Sequence, residues 1–385
     1  MRRNLNRAWR IKSRRIYQVK TGGVRWIISL VLIVISVTLL AASRISTGFA
    51  DWFGFNIYPV ISGIGARIWG IFPFSASEFF VILVILGAII GLICLILYIK
   101  HRRGRRFKAF LNGFSWGAAG ISAIFLLVTT NCLMGYSRTP FSVYSGLTLE
   151  KYTSEELKGL TLDLAEKANA AVKEVRLDEN NRPLKPENFG SLAAEAMEKA
   201  AEEYPVLESY YPQPKAVLCS GVMSSFNLAG IYFPVTVEAN YNQSMPVSSQ
   251  GFTACHELSH LSGFMREDEA NYIAFIACRE SDDPYFRYSG YMNALIYALN
   301  AYRGSSTDEE YYSVAAEIDP VILAEYDYRN EYWAPYRKKV TYKVSSAVND
   351  IYLKSNNQTD GAKSYGRMVD LMLAEWKAEK NTASE

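Results

Sequence analysis

Histidine is scarce in this chain, with three in 385 residues. Cysteine is nearly as sparse: there are five, and no two form a Cys-x-x-Cys pair. Cys94 and Cys132 lie inside apolar runs, which leaves Cys219, Cys255 and Cys278, an odd number without metal-ligand spacing. That argues against a disulfide framework and against a cysteine-based zinc site, and leaves small buried hydrophobes as the ordinary reading. No internal repeat or low-complexity tract occurs. Charge of one sign is also lacking overall, since 41 Lys and Arg against 38 Asp and Glu give a formal net of +3. With 50% of residues hydrophobic and 14% aromatic, the chain has material for two or three packed domains, not for a disordered polymer.

Locally the absence of charge is sharper. Three stretches, 26–43, 79–99 and 109–136, contain no Asp, Glu, Lys or Arg. Each is close to the roughly 20 apolar residues that a bilayer-spanning helix needs. The third carries Asn112, Ser115 and Asn131 near its ends with Gly113, Gly117 and Gly120 between, which suits close packing against neighbouring helices. The basic residues sit beside these runs, so an anionic membrane surface explains them better than nucleic acid does. Arg2, Arg3, Arg7, Arg10, Lys12, Arg14, Arg15, Lys20 and Arg25 precede the first run. Lys100, Arg102, Arg103, Arg105, Arg106 and Lys108 follow the second, whereas the loop between the first two offers only Arg44 and Arg67. Both basic clusters are therefore expected in the cytoplasm, and an odd number of spans puts the rest outside it. Ala41-Ala42-Ser43 resembles a signal-peptidase site, but the long basic leader and the two later spans favour an uncleaved anchor. The expected organisation is a basic cytoplasmic N-terminus at 1–25, a membrane region at 26–137 and an extracytoplasmic domain at 147–385.

Between the first two spans Ile57, Tyr58, Ile61, Ile64 and Ile68 recur at helical spacing, as in a helix lying at the interface or a short re-entrant segment. Beyond the membrane, Thr153 and Glu156 form a capping box opening a helix to about Val175, and 192–203 reads as another. Two stretches, 216–220 and 230–237, are rich in Val, Ile, Tyr and Phe and read as strands. From Phe252 onward the pattern is helical nearly to the end. The fold class expected is mainly α: three transmembrane helices, then an α+β domain with a small sheet and a helical C-terminal part.

Two of the three histidines fall in one motif, His256-Glu257-Leu258-Ser259-His260. On a helix, positions i and i+4 share a face, so both imidazoles can reach one zinc ion. Glu257 stands about 100° round the helix, where a carboxylate acts as general base on water without ligating the metal. A catalytic zinc takes a third protein ligand, and His101 lies in the cytoplasmic loop, so a carboxylate or a thiolate must supply it. Glu267, Asp268 and Glu269 offer three carboxylates. Glu267 and Asn271 share a helix face with Ala270, Ala274, Ala277 and Cys278, and small residues let that face approach the His256–His260 helix. Glu267 is thus the expected ligand, with Asp268 and Glu269 as neighbours in register. Gly263, just past the histidine helix, is placed to adopt the left-handed conformation that reverses the chain. Asn271 is expected to orient a zinc-bound histidine through its outer nitrogen.

HExxH followed by Glu267-x-x-x-Asn271 resembles the gluzincin branch of the zinc metallopeptidases. In that branch a glutamate from a following helix is the third ligand and a residue one turn later supports a histidine. The interval from His260 to Glu267 is shorter than is usual there, and Asn271 stands where aspartate is more common. His256-x-x-x-His260-x-x-Gly263 is also similar to metzincins, but their third ligand would fall on Arg266, which cannot bind zinc. More closely, Gly230-Ile231-Tyr232-Phe233-Pro234, Glu238-Ala239-Asn240, 253–260 and Gly263-Phe264-x-Arg266-Glu267-Asp268-Glu269-Ala270-Asn271 look like a bacterial family of membrane-anchored, zinc metallopeptidase-like HExxH proteins with no assigned substrate. The resemblance implies a zincin-like domain, a Zn2+ cofactor and a peptide or protein substrate. In zincins a strand beside the metal pairs with extended substrate, and 230–242 is the stretch for it here, with Glu238 and Asn240 as substrate-binding candidates; an ordinary core strand fits the same residues. Tyr232, Tyr365 and Arg367 are the candidates for oxyanion donor. The functional expectation is a membrane-anchored zinc metallohydrolase, a peptidase, acting outside the cytoplasm of a bacterial cell. The alternative, from another class, is a membrane sensor or assembly protein whose zinc site is structural or inactive.

Overall fold

The computed structural model describes residues 2–101, 106–356, 358, 361 and 366–382, with side chains from 23 onward except at 99, 101, 106 and 109. Its first half is built on three long helices: α1 (Arg2–Ile45), then, after α2 (Thr47–Asn56) and α3 (Tyr58–Gly70), α4 (Ala76–His101) and α5 (Arg106–Asn131). Stretches long and apolar enough to cross a membrane occupy Gly23–Ile45, Ala76–Tyr98 and Phe110–Ser137, in agreement with the three charge-free runs. On α1 the buried residues Ser29, Ser36 and Ser43 recur every seven positions and so form one stripe, and α5 is the main partner of α1. Their hydroxyls are satisfied by the preceding turn, as in Ser29 to the Arg25 carbonyl (2.9 Å) and Ser36 to the Leu32 carbonyl (2.8 Å). Beyond its first turn, from 79 to 98, no residue of α4 is buried, the surface expected of a helix that is apolar all round.

The ends of these helices that face away from the basic termini all touch the same body. Arg44, near the end of α1, donates to the Ser355 carbonyl (3.0 Å). The backbone N–H of Ala76 and of Ser77, at the start of α4, donate to the Glu238 carboxylate (3.1 and 2.6 Å). Asn131, at the end of α5, donates to the Pro234 carbonyl (2.7 Å). The body therefore lies on one side of all three.

After α6 (Phe141–Tyr144), the body comprises α7 (Ser154–Ala171), α8 (Phe189–Glu203), β1 (Lys215–Val217), α9 (Ser220–Ser225), β2 (Gly230–Phe233), β3 (Glu238–Asn242), α10 (Val247–Leu261), α11 (Glu267–Glu280), α12 (Pro284–Arg303), α13 (Asp308–Ala315), α14 (Pro320–Arg337), α15 (Val340–Ser355) and α16 (Met368–Thr382). The capping box at Thr153 and Glu156 is present and α7 ends at Ala171. Helices α10 and α11 are buried along nearly their whole length; α8, α12 and α16 pack on them, and α7 lies outside against α12 and α16. The small-residue face of α11 does what its composition predicts: Ala270, Ala274, Ala277 and Cys278 are fully buried, and Cys278 meets Cys255 of α10 and Gly290 of α12.

Three expectations need correction. The strand expected at 216–220 is only Lys215–Val217, because the Ser220 hydroxyl bonds back to the Val217 carbonyl and α9 begins there. The single strand expected at 230–242 is a hairpin: β2 and β3 pair antiparallel with Tyr232 opposite Ala239, and β1 joins β3 in parallel, giving the order β1-β3-β2. The boundary expected between 137 and 147 is not a physical gap, since Ala66, Cys132, Tyr136 and Phe141 share one core with Leu258 and Tyr272. Helices α2 and α3 belong partly to that body. Tyr58, Ser62 and Ala66 are buried, Gly65 lets Val237 come close, and Ile64 and Ile68 of the expected stripe stay exposed.

Candidate metal centre

The HExxH segment lies within the last two turns of α10, and the chain then reverses through Gly263, whose φ of +98° is in the left-handed half of the map. The Gly263 N–H donates to the His260 carbonyl (2.9 Å) and the Phe264 N–H to the Ser259 carbonyl (3.2 Å), the paired bonds of a Schellman cap. This turn brings the Phe264 carbonyl over His260, whose Nδ1 lies 2.8 Å from it. A carbonyl can only accept, so that nitrogen carries the proton and Nε2 is left as the electron-pair donor. Arg266 caps α11, and Glu267 enters as its first residue.

One ligand atom each from His256, His260 and Glu267 lies within 4.8 Å of the other two, and all three residues are nearly buried. Glu267 Oε2 is 3.2 Å from His256 Nε2 and 3.7 Å from His260 Nε2. Two ligands at about 2.0–2.1 Å from a tetrahedral zinc are about 3.3 Å apart, so the observed spacings bracket what the ion needs. His256 Nδ1 is buried without a partner, which leaves that imidazole held only through its Nε2 side. The donor set fits zinc.

The electrostatics follow from burial and proximity. Burial raises Glu267, but the two imidazoles outweigh it and hold the carboxyl well below the usual range. Burial lowers His260, yet Glu267 and Glu257 together push it up to about 9. Glu257 is raised by burial, which the neighbouring histidines only partly offset. Its carboxylate fits under β2, where a Cβ on Gly230 would come within 2.3 Å of Oε1. Glycine is required there for contact, not for backbone angle.

The neighbouring carboxylates are committed elsewhere. Glu269 accepts from Arg266 (2.7 Å) and from the Phe141 N–H (3.1 Å), and Asp268 pairs with Arg367 (3.2 Å). Cys255 and Cys278 are buried against each other, outside the cluster. Asn271 does not take the part expected of it: the outer nitrogen of His260 goes to Phe264, that of His256 has no partner, and the Asn271 side chain bonds Tyr297. A backbone carbonyl does the orienting, and no side-chain motif announces that.

Glu238 and Asn240 are corrected as substrate-binding candidates. Side chains alternate along a strand, and the face of the hairpin over α10 carries Gly230, Tyr232, Ala239 and Tyr241. Glu238 and Asn240 fall on the opposite face. There Glu238 accepts from Lys215 (2.6 Å), Thr236 (2.7 Å) and the first N–H groups of α4, while Asn240 donates to the Glu238 carbonyl (3.1 Å). Of the oxyanion candidates, Tyr232 has its hydroxyl 3.2 Å from both the Tyr58 hydroxyl and the Asn131 carbonyl, and Arg367 is on Asp268. Tyr365 lies outside the described residues.

What sequence reasoning missed is the share that the membrane half takes in the site. The Tyr58 hydroxyl donates to the Leu261 carbonyl (2.9 Å), holding the end of α10, and Asn131 fixes Tyr232 beside His260. Tyr297 of α12 and Tyr352 of α15 are near enough to Glu267 for its charge to add to burial in raising both hydroxyls. Positions some 200 residues apart give no pairing signal in one sequence.

Fold and site together define a class: a helical body set on three membrane-length helices, with a His–His–Glu cluster on two buried core helices. Residues 54–373 match the family described as "Protein of unknown function (DUF3810)", and the chain belongs to that family. No curated protein and no solved structure matches it.

Proposed function

We propose that this protein is a membrane-anchored zinc-dependent metallohydrolase, a zincin-type peptidase with a gluzincin-like ligand set, whose body faces the outside of a bacterial cell. One observation carries the reading: His256, His260 and Glu267 present their ligand atoms at zinc-compatible spacing while a second carboxylate, Glu257, stands beside them. What zinc supplies when bound is Lewis acidity toward a carbonyl oxygen and a water. Glu257, raised by burial, accepts a proton from that water and returns it to the leaving amine. Strand β2 is an edge of the sheet and runs over Glu257, so its open side offers backbone groups to an extended peptide.

The test uses the full chain in detergent, because Tyr58 and Asn131 support the site from the membrane half. Peptide mixtures are incubated with wild-type protein, with protein plus chelator, and with Glu257→Gln. Zinc-dependent cleavage that Glu257→Gln abolishes while zinc stays bound supports the proposal; cleavage undiminished in Glu257→Gln sinks it. The second reading, a sensor or assembly protein with a structural zinc, draws on the near-complete burial of the cluster, and that protein would tolerate Glu257→Gln.

A further inference from the structure

Helix α15 carries a feature that the candidate site does not use. Val340, Val344, Val348 and Ile351 are 75%, 53%, 61% and 67% exposed, and at about 100° per residue they fall within about 80° of one another. Soluble surfaces seldom keep so regular an apolar stripe without a partner. Lys343 and Lys354 border it on one side, Lys354 paired with Asp350 (2.7 Å), while the opposite side turns inward: Leu353 is fully buried and the Tyr352 hydroxyl lies 3.2 Å from Cys132 Sγ.

One end of α15 is tied directly to a membrane-length helix, and the other is tied to α9, which adjoins the start of another. At its C-terminal end the Ser355 carbonyl accepts from Arg44, one residue before α1 stops. At its N-terminal end Thr341 donates to the Ser225 carbonyl (2.6 Å), the last residue of α9. Just ahead of α9, the Leu218 and Cys219 N–H groups are held by the carboxylate of Glu78 in the first turn of α4 (2.9 and 2.7 Å). Leu218 and Val222 in that region are also exposed. A helix of 16 residues, about 24 Å long, thus runs from the end of α1 to α9, whose preceding residues are held by the start of α4.

We infer that α15 lies in the body-side leaflet of the same bilayer and forms a membrane-seated roof over the His–His–Glu cluster. Its Val/Ile stripe sits in the acyl boundary, Lys343 and Lys354 reach the headgroups, and Tyr352 faces the cluster. The occupant of the apolar face is lipid because one end of α15 is held by the body-side end of α1 and the other is joined through α9 to the body-side end of α4, and the inference rests on the reading of α1, α4 and α5 as membrane helices. Substrates would then reach the cluster along the membrane surface.

The test places nitroxide labels on single cysteines at Val344 and Val348 in full-length protein in which Cys94 and Cys219 are replaced by serine. The protein is reconstituted in phosphatidylcholine–phosphatidylglycerol vesicles, with reference labels at Val31 and Leu83 on the spans and at Tyr312 on the body. Collision with oxygen and with a water-soluble nickel chelate is measured. The expected result is oxygen access and loss of nickel access at Val344 and Val348, as at Val31 and Leu83. Nickel access equal to that at Tyr312 overturns the inference. Loss of access to both reagents also overturns it, because a second copy of the chain then covers the stripe. Nickel access at Val31 and Leu83 would overturn the membrane reading itself, which separates that failure from failure at α15 alone.

Discussion

Gly230→Ala isolates the role of Glu257 without touching a metal ligand. Gly230 is not among the positive-φ glycines, so alanine fits the backbone of β2. The new methyl would stand 2.3 Å from Glu257 Oε1, 2.7 Å from its Cγ and 2.8 Å from its Cδ. Ordinary carbon contacts begin near 3.5 Å, so the carboxylate must retreat by about 1 Å. Three successive atoms are crowded, and a rotation of the carboxylate alone does not relieve them. A displacement of that size in a catalytic group costs about 10²-fold in rate, or about 2.7 kcal/mol of transition-state stabilisation. The three atoms nearest the methyl all belong to Glu257, so zinc affinity should stay within a few-fold of wild type. The assay pairs zinc titration with kcat/KM on whichever peptide the cleavage screen selects, in the full-length protein. Wild-type turnover in Gly230→Ala would refute the placement of Glu257 as base. Loss of zinc together with turnover would refute the claim that base and ligands are separable.

The ligand register gives a second prediction: Glu267→Ala should weaken zinc binding by at least 10–100-fold, whereas Glu269→Ala should keep zinc and lose stability. The loss in Glu269→Ala should be on the order of 3 kcal/mol in denaturant unfolding, because the Phe141 N–H loses its acceptor and Arg266, which keeps only the Tyr136 and Arg138 carbonyls, loses its counter-ion. A third concerns the reassigned face of the hairpin: Lys215→Met leaves Glu238 buried and unpaired, so thermal unfolding should occur at lower temperature while zinc affinity is unchanged. A zinc defect in Lys215→Met would mean that Glu238 belongs to the site after all. The fourth is topological, since cysteines at Ser13 and Tyr312 should label from opposite sides of intact cells; labelling of both from outside would exclude the three-span reading.

By itself the sequence determined what depends on local periodicity and on residue type. Charge-free runs of membrane length mark α1, α4 and α5, because hydrocarbon tolerates no unpaired backbone and few charges. The i, i+4 histidines, the capping box at Thr153 and the turn at Gly263 were legible for the same reason, each being settled within one or two helical turns. Glu267 was also within reach, since the small residues of α11 dictate which of its faces packs closely. Only tertiary structure decided the rest. The pleat of a hairpin that the sequence presented as one strand turned Glu238 and Asn240 away from the cluster and onto the start of α4. A backbone carbonyl, which has no side-chain signature, took the orienting place expected of Asn271. Tyr58, Asn131 and Tyr352 reach the site from positions far off in the chain, and such partners are fixed by packing, which no local pattern encodes.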